Sequence, residues 1–350
     1  MSNRVAIIDN VGIKAGMDKY SDGMARGLVE NGSEVWLMSN FTGDAEGVHY
    51  SELFNKKREG VISDLKNWIV PWRKAARICK TAGVEHVIIH LFSFGLKDRI
   101  ALAILTRNDL KVHAIVHDPE HLGRGEGPLQ FKDSILDSCY KLYVHNQVSA
   151  SFLPERFNGR CGILPHGNFH DIPSEITRSE AKAQLGWTDG LPKVLFFGQI
   201  KQSKGLEVLI DAMSGLKGRA QLVIAGRPWQ EDASKYTELM TKAKVDAETH
   251  LRFITNEERD LFLKASDLIV MPYRKIFQSG VLQMAFSYRI PVICSDLPAF
   301  QEVDPGQELM TRFASEDSNA LAQAISTSLD DEDSMHAKAE RAYQFAATEC

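Results

Sequence analysis

Runs of Val, Ile and Leu of strand length, apolar at nearly every position rather than at every second one, recur along the chain and decide its fold class. VAIID (5–9), EVWLMS (34–39), HVIIHLF (86–92), KVHAIVHD (111–118), KLYVHN (141–146) and GILPHG (162–167) lie in the first half. KVLFFG (193–198), AQLVIAG (220–226), LRFIT (251–255), DLIVMPY (267–273), PVICSD (291–296) and ELMTRF (308–313) lie in the second. A strand with one wet face alternates, whereas a strand apolar throughout is covered on both faces, as in parallel sheets flanked by helices. Longer helical patterns separate the runs. At 350 residues the chain exceeds one ordinary core. The expectation is an α/β protein of two Rossmann-like, doubly wound parallel-sheet domains facing a central cleft, the default place for a ligand. Strand signals lapse and turn residues gather over 168–192. The predicted domains are therefore 1–170 and 171–336, with a last helix, about 337–350, able to return to the first.

The totals exclude several classes. A net charge of -5 argues against a nucleic-acid partner. No apolar run approaches the roughly 20 residues of a membrane-spanning helix. The N-terminal MSNRVAIIDNVG enters a strand pattern without a signal-peptide layout, and the five cysteines are scattered without a CxxC pair. Both features point to a reducing cytoplasm and to no metal cluster. His166 and His170 are four apart, but Pro165 and Gly167 make a loop of them and no third ligand is near. The DDED run, 330–333, reads as a solvated helix start.

The polar Gln278-Ser279-Gly280 turn stands between two apolar runs, after a strand and before a short buried helix. Such a turn points bare backbone N–H groups beyond the sheet's carboxyl edge, where an anion, above all a phosphate, is stabilised. A second loop follows the strand ending at Gly198 and carries Gln199, Lys201 and Lys204 ahead of Gly205, which opens an amphipathic helix. Two lysines at such an edge neutralise phosphate charge, Lys204 being favoured over Lys201, though most lysines are plain surface residues. Arg227 adds a cation at the same edge. Thr255 and Asn256 precede an acidic helix start; they can present backbone groups to a nucleotide base, and helix capping alone explains them equally well.

FGQIKQSKGLEVLI, LVIAGRPW and ASDLIVMPYRKIFQSGVLQMAFSYRIPVICSDLPAFQE, in that order, resemble the donor half of family 4 retaining glycosyltransferases (glycosyl transferases group 1), whose fold is GT-B. The resemblance runs from about Pro192 to Glu302 and is weaker elsewhere. It implies a nucleoside-diphosphate sugar as donor substrate, with Lys204 and the amides of Ser279, Gly280 and Val281 on its diphosphate. It further implies that Gly16, in a glycine-bearing loop of the first domain, closes over the diphosphate, and that His117, at a strand end, contacts the sugar. The departures are Gln199 where many members carry arginine, Lys201 where a subgroup carries arginine, and Ile276 and Met284 where most carry glutamates. A subgroup with a Q-S-G-V turn lacks these glutamates as well.

The expected activity is metal-independent transfer of a hexosyl-type sugar to an acceptor hydroxyl; the resemblance further implies retention and an acceptor that is a glycan or lipid-linked glycan, in polysaccharide or glycoconjugate synthesis. Neither HExxH nor a strand-end D-x-D is present, and lysines with helix amides suit a departing diphosphate. Two alternatives stay open: a non-catalytic binding or partner subunit, and a nucleotide-sugar epimerase, which needs paired acid/base side chains beyond His117 and Asp118. The segment 54–80 mixes Lys56, Lys57, Arg58, Arg73, Lys74 and Arg77 with Trp68 and Trp72. Such a segment can lie peripherally on the inner face of an anionic membrane. A core helix with a solvated basic face, broken at Pro71, is favoured. GRGEGP, 123–128, reads as a surface flap near the acceptor.

Overall fold

The computed structural model describes residues 3–13, 16–54, 61–122, 129–169, 175–188, 190–229 and 233–349, with the backbone only at 61–66. Lys56, Lys57, Arg58, the GRGEGP stretch and His170 lie outside the described residues. One compact unit runs up to His121 and from 129 to Gly167; the other begins at Asn168.

The first unit comprises β1 (Asn3–Ile8), α1 (Met17–Glu30), β2 (Ser33–Ser39), β3 (Val48–Glu52), α2 (Val61–Ala82), β4 (His86–Leu91), α3 (Leu96–Thr106), β5 (Lys111–Val116), α4 (Lys132–Ser138), β6 (Lys141–Val144), α5 (Gln147–Ala150) and β7 (Cys161–Ile163). Its sheet has the order β3-β2-β1-β4-β5-β6-β7, with every neighbouring pair parallel. The period-two alternation of strand side chains divides the core between two faces. Ala6 and Ile8 join the cluster under α2 and α3, while Ile7 joins Ala25, Val35 and Leu37 under α1.

The second unit comprises α6 (Arg178–Leu185), β8 (Lys193–Phe197), α7 (Leu206–Ser214), β9 (Gln221–Ala225), α8 (Ser234–Ala243), β10 (Ala247–His250), α9 (Asn256–Ala265), β11 (Leu268–Met271), α10 (Gly280–Ser287), β12 (Val292–Ser295), α11 (Pro298–Val303), β13 (Thr311–Phe313), α12 (Ser318–Asp330) and α13 (Glu332–Glu349). Its parallel sheet runs β10-β9-β8-β11-β12-β13. Leu195 faces one core, and Val194 and Phe196 the other. Capping boxes at Thr177 with Glu180 and Thr255 with Glu258 start α6 and α9, and the Ser279 hydroxyl accepts from the Leu282 N–H to start α10.

Three expectations need correction, and one strand, β3, was not expected. LRFIT is not a strand: the ladder ends at His250, because an edge strand pairs on one side only and AETH, although polar, serves there. Pro71 does not break its helix. It sits inside the 22-residue α2, where Trp72, Ala75, Ala76 and Cys79 bury one face and leave Arg73, Lys74 and Arg77 exposed. β3 carried no clear apolar signal, since none of its residues is fully buried. The last helix packs within the second unit, its Ala342 and Ala346 in the core that also holds Ala285 and Phe286 of α10. No described helix is long and apolar enough to cross a membrane.

Candidate functional site: the carboxyl edge of the second sheet

From β8 the second sheet winds outward to β9 and β10, then returns to place β11 on the other side of β8. The connections after β8 and β11 therefore diverge, which opens the crevice where doubly wound sheets take ligands. The loop after β8 carries Gly198, Gln199 and Lys201, makes a 3-10 turn at Gln202–Lys204 and enters α7; the loop after β11 carries Tyr273 and Ser279 into α10.

Two glycines are demanded by close approach. Gly205 has φ +61, and a β-carbon there would lie 2.0 Å from the Pro272 carbonyl oxygen. A β-carbon on Gly226 would lie 1.8 Å from the Gly198 carbonyl oxygen, because β8 and β9 end in register, Phe197 opposite Ala225. Gly205→Ala is expected to cost roughly 1–3 kcal/mol from the left-handed backbone alone, and to push Lys204 away from the end of β11. A lower unfolding midpoint together with lost anion binding would be the result; an unchanged midpoint would refute the packing argument.

Lys204 is the centre of the arrangement. Its Nζ lies 3.5 Å, and a Val281 methyl 3.3 Å, from the point a β-carbon on Gly198 would occupy. The same Nζ stands 5.0 Å from the centroid of the Tyr273 ring, which is buried. Among the described residues no carboxylate lies within ion-pair distance of this ammonium. Burial, with a smaller repulsion from Lys201, pulls Lys204 down to about 8. A positive charge with no carboxylate partner among the described residues, beside a helix N-terminus, is suited to take an anion. Lys201 lies 5.6 Å from the centroid of Trp229. The buried side-chain oxygens of Gln278 and Gln283, on either side of the Ser279 turn, have no hydrogen-bond partner among the described residues, and the Tyr273 hydroxyl stands by Ser279. These acceptors match hydroxyl donors.

The fold thus gathers Gly198, Lys204 and Val281, with Ser279 and Gly280 on the same helix start. Ile276 and Met284 pack into the core as apolar residues. Arg227 is exposed at the end of β9, and its carbonyl accepts from the Ile200 N–H. Thr255 and Asn256 stand at the start of α9, Thr255 capping it and Asn256 accepting from Arg259. Gly16 is the left-handed N-cap of α1 in the first unit.

His117 requires correction. It is 1 % exposed and stacked 4.2 Å from Phe92, and both its ring nitrogens are engaged, Nε2 at 3.1 Å from His90 Nδ1 and Nδ1 at 3.1 Å from His145 Nε2. It presents no free nitrogen to a sugar. Sequence reasoning missed His90 and His145, although the signal was there: VIIH, AIVH, LYVH and ILPH each close an apolar run with a histidine. It also missed Tyr273, Gln283 and Gly226, and it took Gln278 only as part of the turn. Among the described residues no group of three or more His, Cys, Asp or Glu could hold a metal ion.

Residues 191–331 match the family described as Glycosyl transferases group 1. GDP-mannose:glycolipid 4-beta-D-mannosyltransferase of Xanthomonas campestris pv. campestris is 29% identical over 119 residues, 33% of this chain and 34% of that protein. Alpha-D-kanosaminyltransferase of Streptomyces kanamyceticus is 29% identical over 149 residues, 41% of this chain and 38% of that protein. The chain thus matches well under half the length of these curated relatives. Among solved structures, sucrose-phosphate synthase from Thermosynechococcus elongatus superposes with TM-score 0.77 at 16% identity, covering 99% of this chain and 94% of that one. HepE of Anabaena in complex with UDP-glucose gives 0.72 at 14% identity, covering 98% and 94%. These likenesses establish the GT-B fold.

Proposed function

We propose that this chain, whose residues 191–331 belong to the glycosyl transferases group 1 family, transfers a sugar from a nucleoside-diphosphate sugar to an acceptor hydroxyl. The observation that carries the reading is Lys204, a partly buried ammonium with no carboxylate partner among the described residues, beside the turn that starts α10. The donor diphosphate completes that site. Lys204, Lys201 and the amides of Ser279, Gly280 and Val281 take the charge that grows on the leaving diphosphate, which is electrostatic stabilisation aimed at the transition state. Gln278, Gln283 and Tyr273 accept hydroxyls of the ribose or the sugar. Arg227, Thr255 and Asn256, on the same sheet edge, are assigned to the nucleoside. Retention and a glycan or glycolipid acceptor extend the same reading, by likeness to the relatives named above.

Thermal unfolding against GDP, UDP, ADP and their common sugar conjugates tests it, because a ligand that binds only the native state raises the midpoint with its concentration. One nucleotide family should raise the midpoint in the wild type and not in Lys204→Met. A folded protein that responds to no nucleotide would overturn the donor site and favour a partner subunit without sugar chemistry.

A further inference from the structure

The first unit carries a line of polar groups across the carboxyl edge of its sheet, one from each of five neighbouring strand ends. Asp9 follows β1, His90 lies in β4, His117 follows β5, His145 follows β6 and His166 follows β7, in the spatial order of the strands. Asp9 is fully buried. Its Oδ1 accepts from the Val11 and Gly12 N–H groups at 2.8 and 2.9 Å, and its Oδ2 accepts from the Ser21 hydroxyl at 2.8 Å. Ser21 Oγ is 3.4 Å from His90 Nε2. His90 and His117, and then His117 and His145, meet nitrogen to nitrogen at 3.1 Å, and His145 Nδ1 ends the line 2.9 Å from the Leu164 carbonyl oxygen. Tyr20, on α1, sets its ring against His90, His117, His145 and His166 at 5.0 to 5.9 Å.

The carbonyl at the end fixes the direction of the whole line. A carbonyl only accepts, so His145 carries its proton on Nδ1 and, being neutral, is bare on Nε2. His117 must then donate from Nδ1, and His90 likewise. His90 is left bare on Nε2, facing a serine oxygen whose own proton goes to Asp9. Those two lone pairs meet at 3.4 Å with no hydrogen between them, which is the one place in the line that accepts a proton. A proton there completes an imidazolium–hydroxyl–carboxylate bridge.

We infer that the first unit is a one-proton store: the line takes a single proton from solvent at His90 Nε2, balanced by Asp9 through Ser21, and excludes a second. The groups facing His90 are Asp9 from the end of β1, Ser21 and Tyr20 from α1, and His117 from β5, with His145 and His166 beyond. Only Asp9 among them favours a positive charge. Burial drives His90, His117 and His145 toward the neutral form, and Asp9 opposes this at His90 alone. The stored proton draws Ser21 toward β4 and ties the first turns of α1 across the switch point between β1 and β4. Without it Asp9 alone holds Ser21 and the backbone at Val11 and Gly12. The device belongs to the first unit and operates whatever the second unit binds.

Long-range nitrogen–proton spectra of the full chain labelled at histidine, assigned with single His→Gln variants, test the inference. At pH 8, His90, His117 and His145 are expected in the less common Nδ1–H form. On acidification one histidine of the line, His90, should gain a second proton before the unit unfolds. Asp9→Asn should abolish that step while His117 and His145 keep their tautomers. If Asp9→Asn does not fold, Ser21→Ala, which removes only the bridge, should move the step to lower pH by about one unit or more. An Nε2–H form at His117 or His145, two histidines of the line charging together, or a His90 that stays neutral until unfolding would each overturn it.

Discussion

Lys204→Met is expected to weaken binding of the donor nucleotide by roughly 10- to 100-fold at pH 7, the effect of losing a charge-assisted bond of about 1.5–3 kcal/mol, and to make the empty protein more stable. The two effects share one cause. A partly buried ammonium with no counter-ion among the described residues is costly, and its folded value near 8 lies below the ordinary lysine range. The sign follows from proton counting. Between pH 8 and the unfolded value the unfolded chain binds more protons, so stability rises with pH across that window. Below pH 8 the destabilisation is fully present. Methionine keeps the stem without the charge, and a gain of about 1–3 kcal/mol in the unliganded variant follows. An anion that enters the site favours the charged form. Above pH 8 binding then requires proton uptake, and wild-type affinity should fall about tenfold per pH unit while the variant stays flat. Calorimetric titration from pH 7 to 9.5, together with urea unfolding of both proteins, reads all of this. A wild-type affinity independent of pH, or a variant destabilised without ligand, would remove Lys204 from the centre of the site.

Mild acid is expected to unfold the first unit well before neutral carboxylates would explain it. Burial, helped by neighbouring imidazoles, holds His145 at about 3 and His117 well below its usual range. These folded values are depressed, so the stability is present above pH 6.5 and is lost as pH falls toward the folded values. Each refused proton costs about 1.4 kcal/mol per pH unit below 6.5, so two of them cost roughly 4 kcal/mol by pH 5. Against a domain stability of about 5–15 kcal/mol that loss is decisive. His145→Gln should reduce the pH dependence by about one proton. Hydrogen exchange of the β4 and β5 amides between pH 7 and 5 measures it, and a first unit equally protected throughout that range would end the argument.

The two predictions rest on features that were unequally legible. The loop that carries the lysines and the turn that starts α10 were readable because each is local and follows from the strand end on which it sits. The acceptors at Gln278 and Gln283, without a partner among the described residues, were not, since a missing partner becomes visible only once every neighbour is in place. Local reasoning also erred at Pro71. A proline removes one helical hydrogen bond and adds a local clash, but the burial of Trp72, Ala75, Ala76 and Cys79 across 22 residues outweighs that loss.

His117 marks where local reading stops. From its strand end alone it resembled a ligand contact, and only the tertiary structure decided that its nitrogens face other histidines. By itself the amino-acid sequence determined two parallel sheets, the strand ends that bear cations and histidines, and the polar turn that starts α10, because apolar periodicity and turn chemistry act between near neighbours. The tertiary structure decided strand order, and so which ends lie side by side. Asp9 and His145 are distant in the chain yet joined by a single line of polar contacts, because parallel strands bring residues from remote segments to one edge.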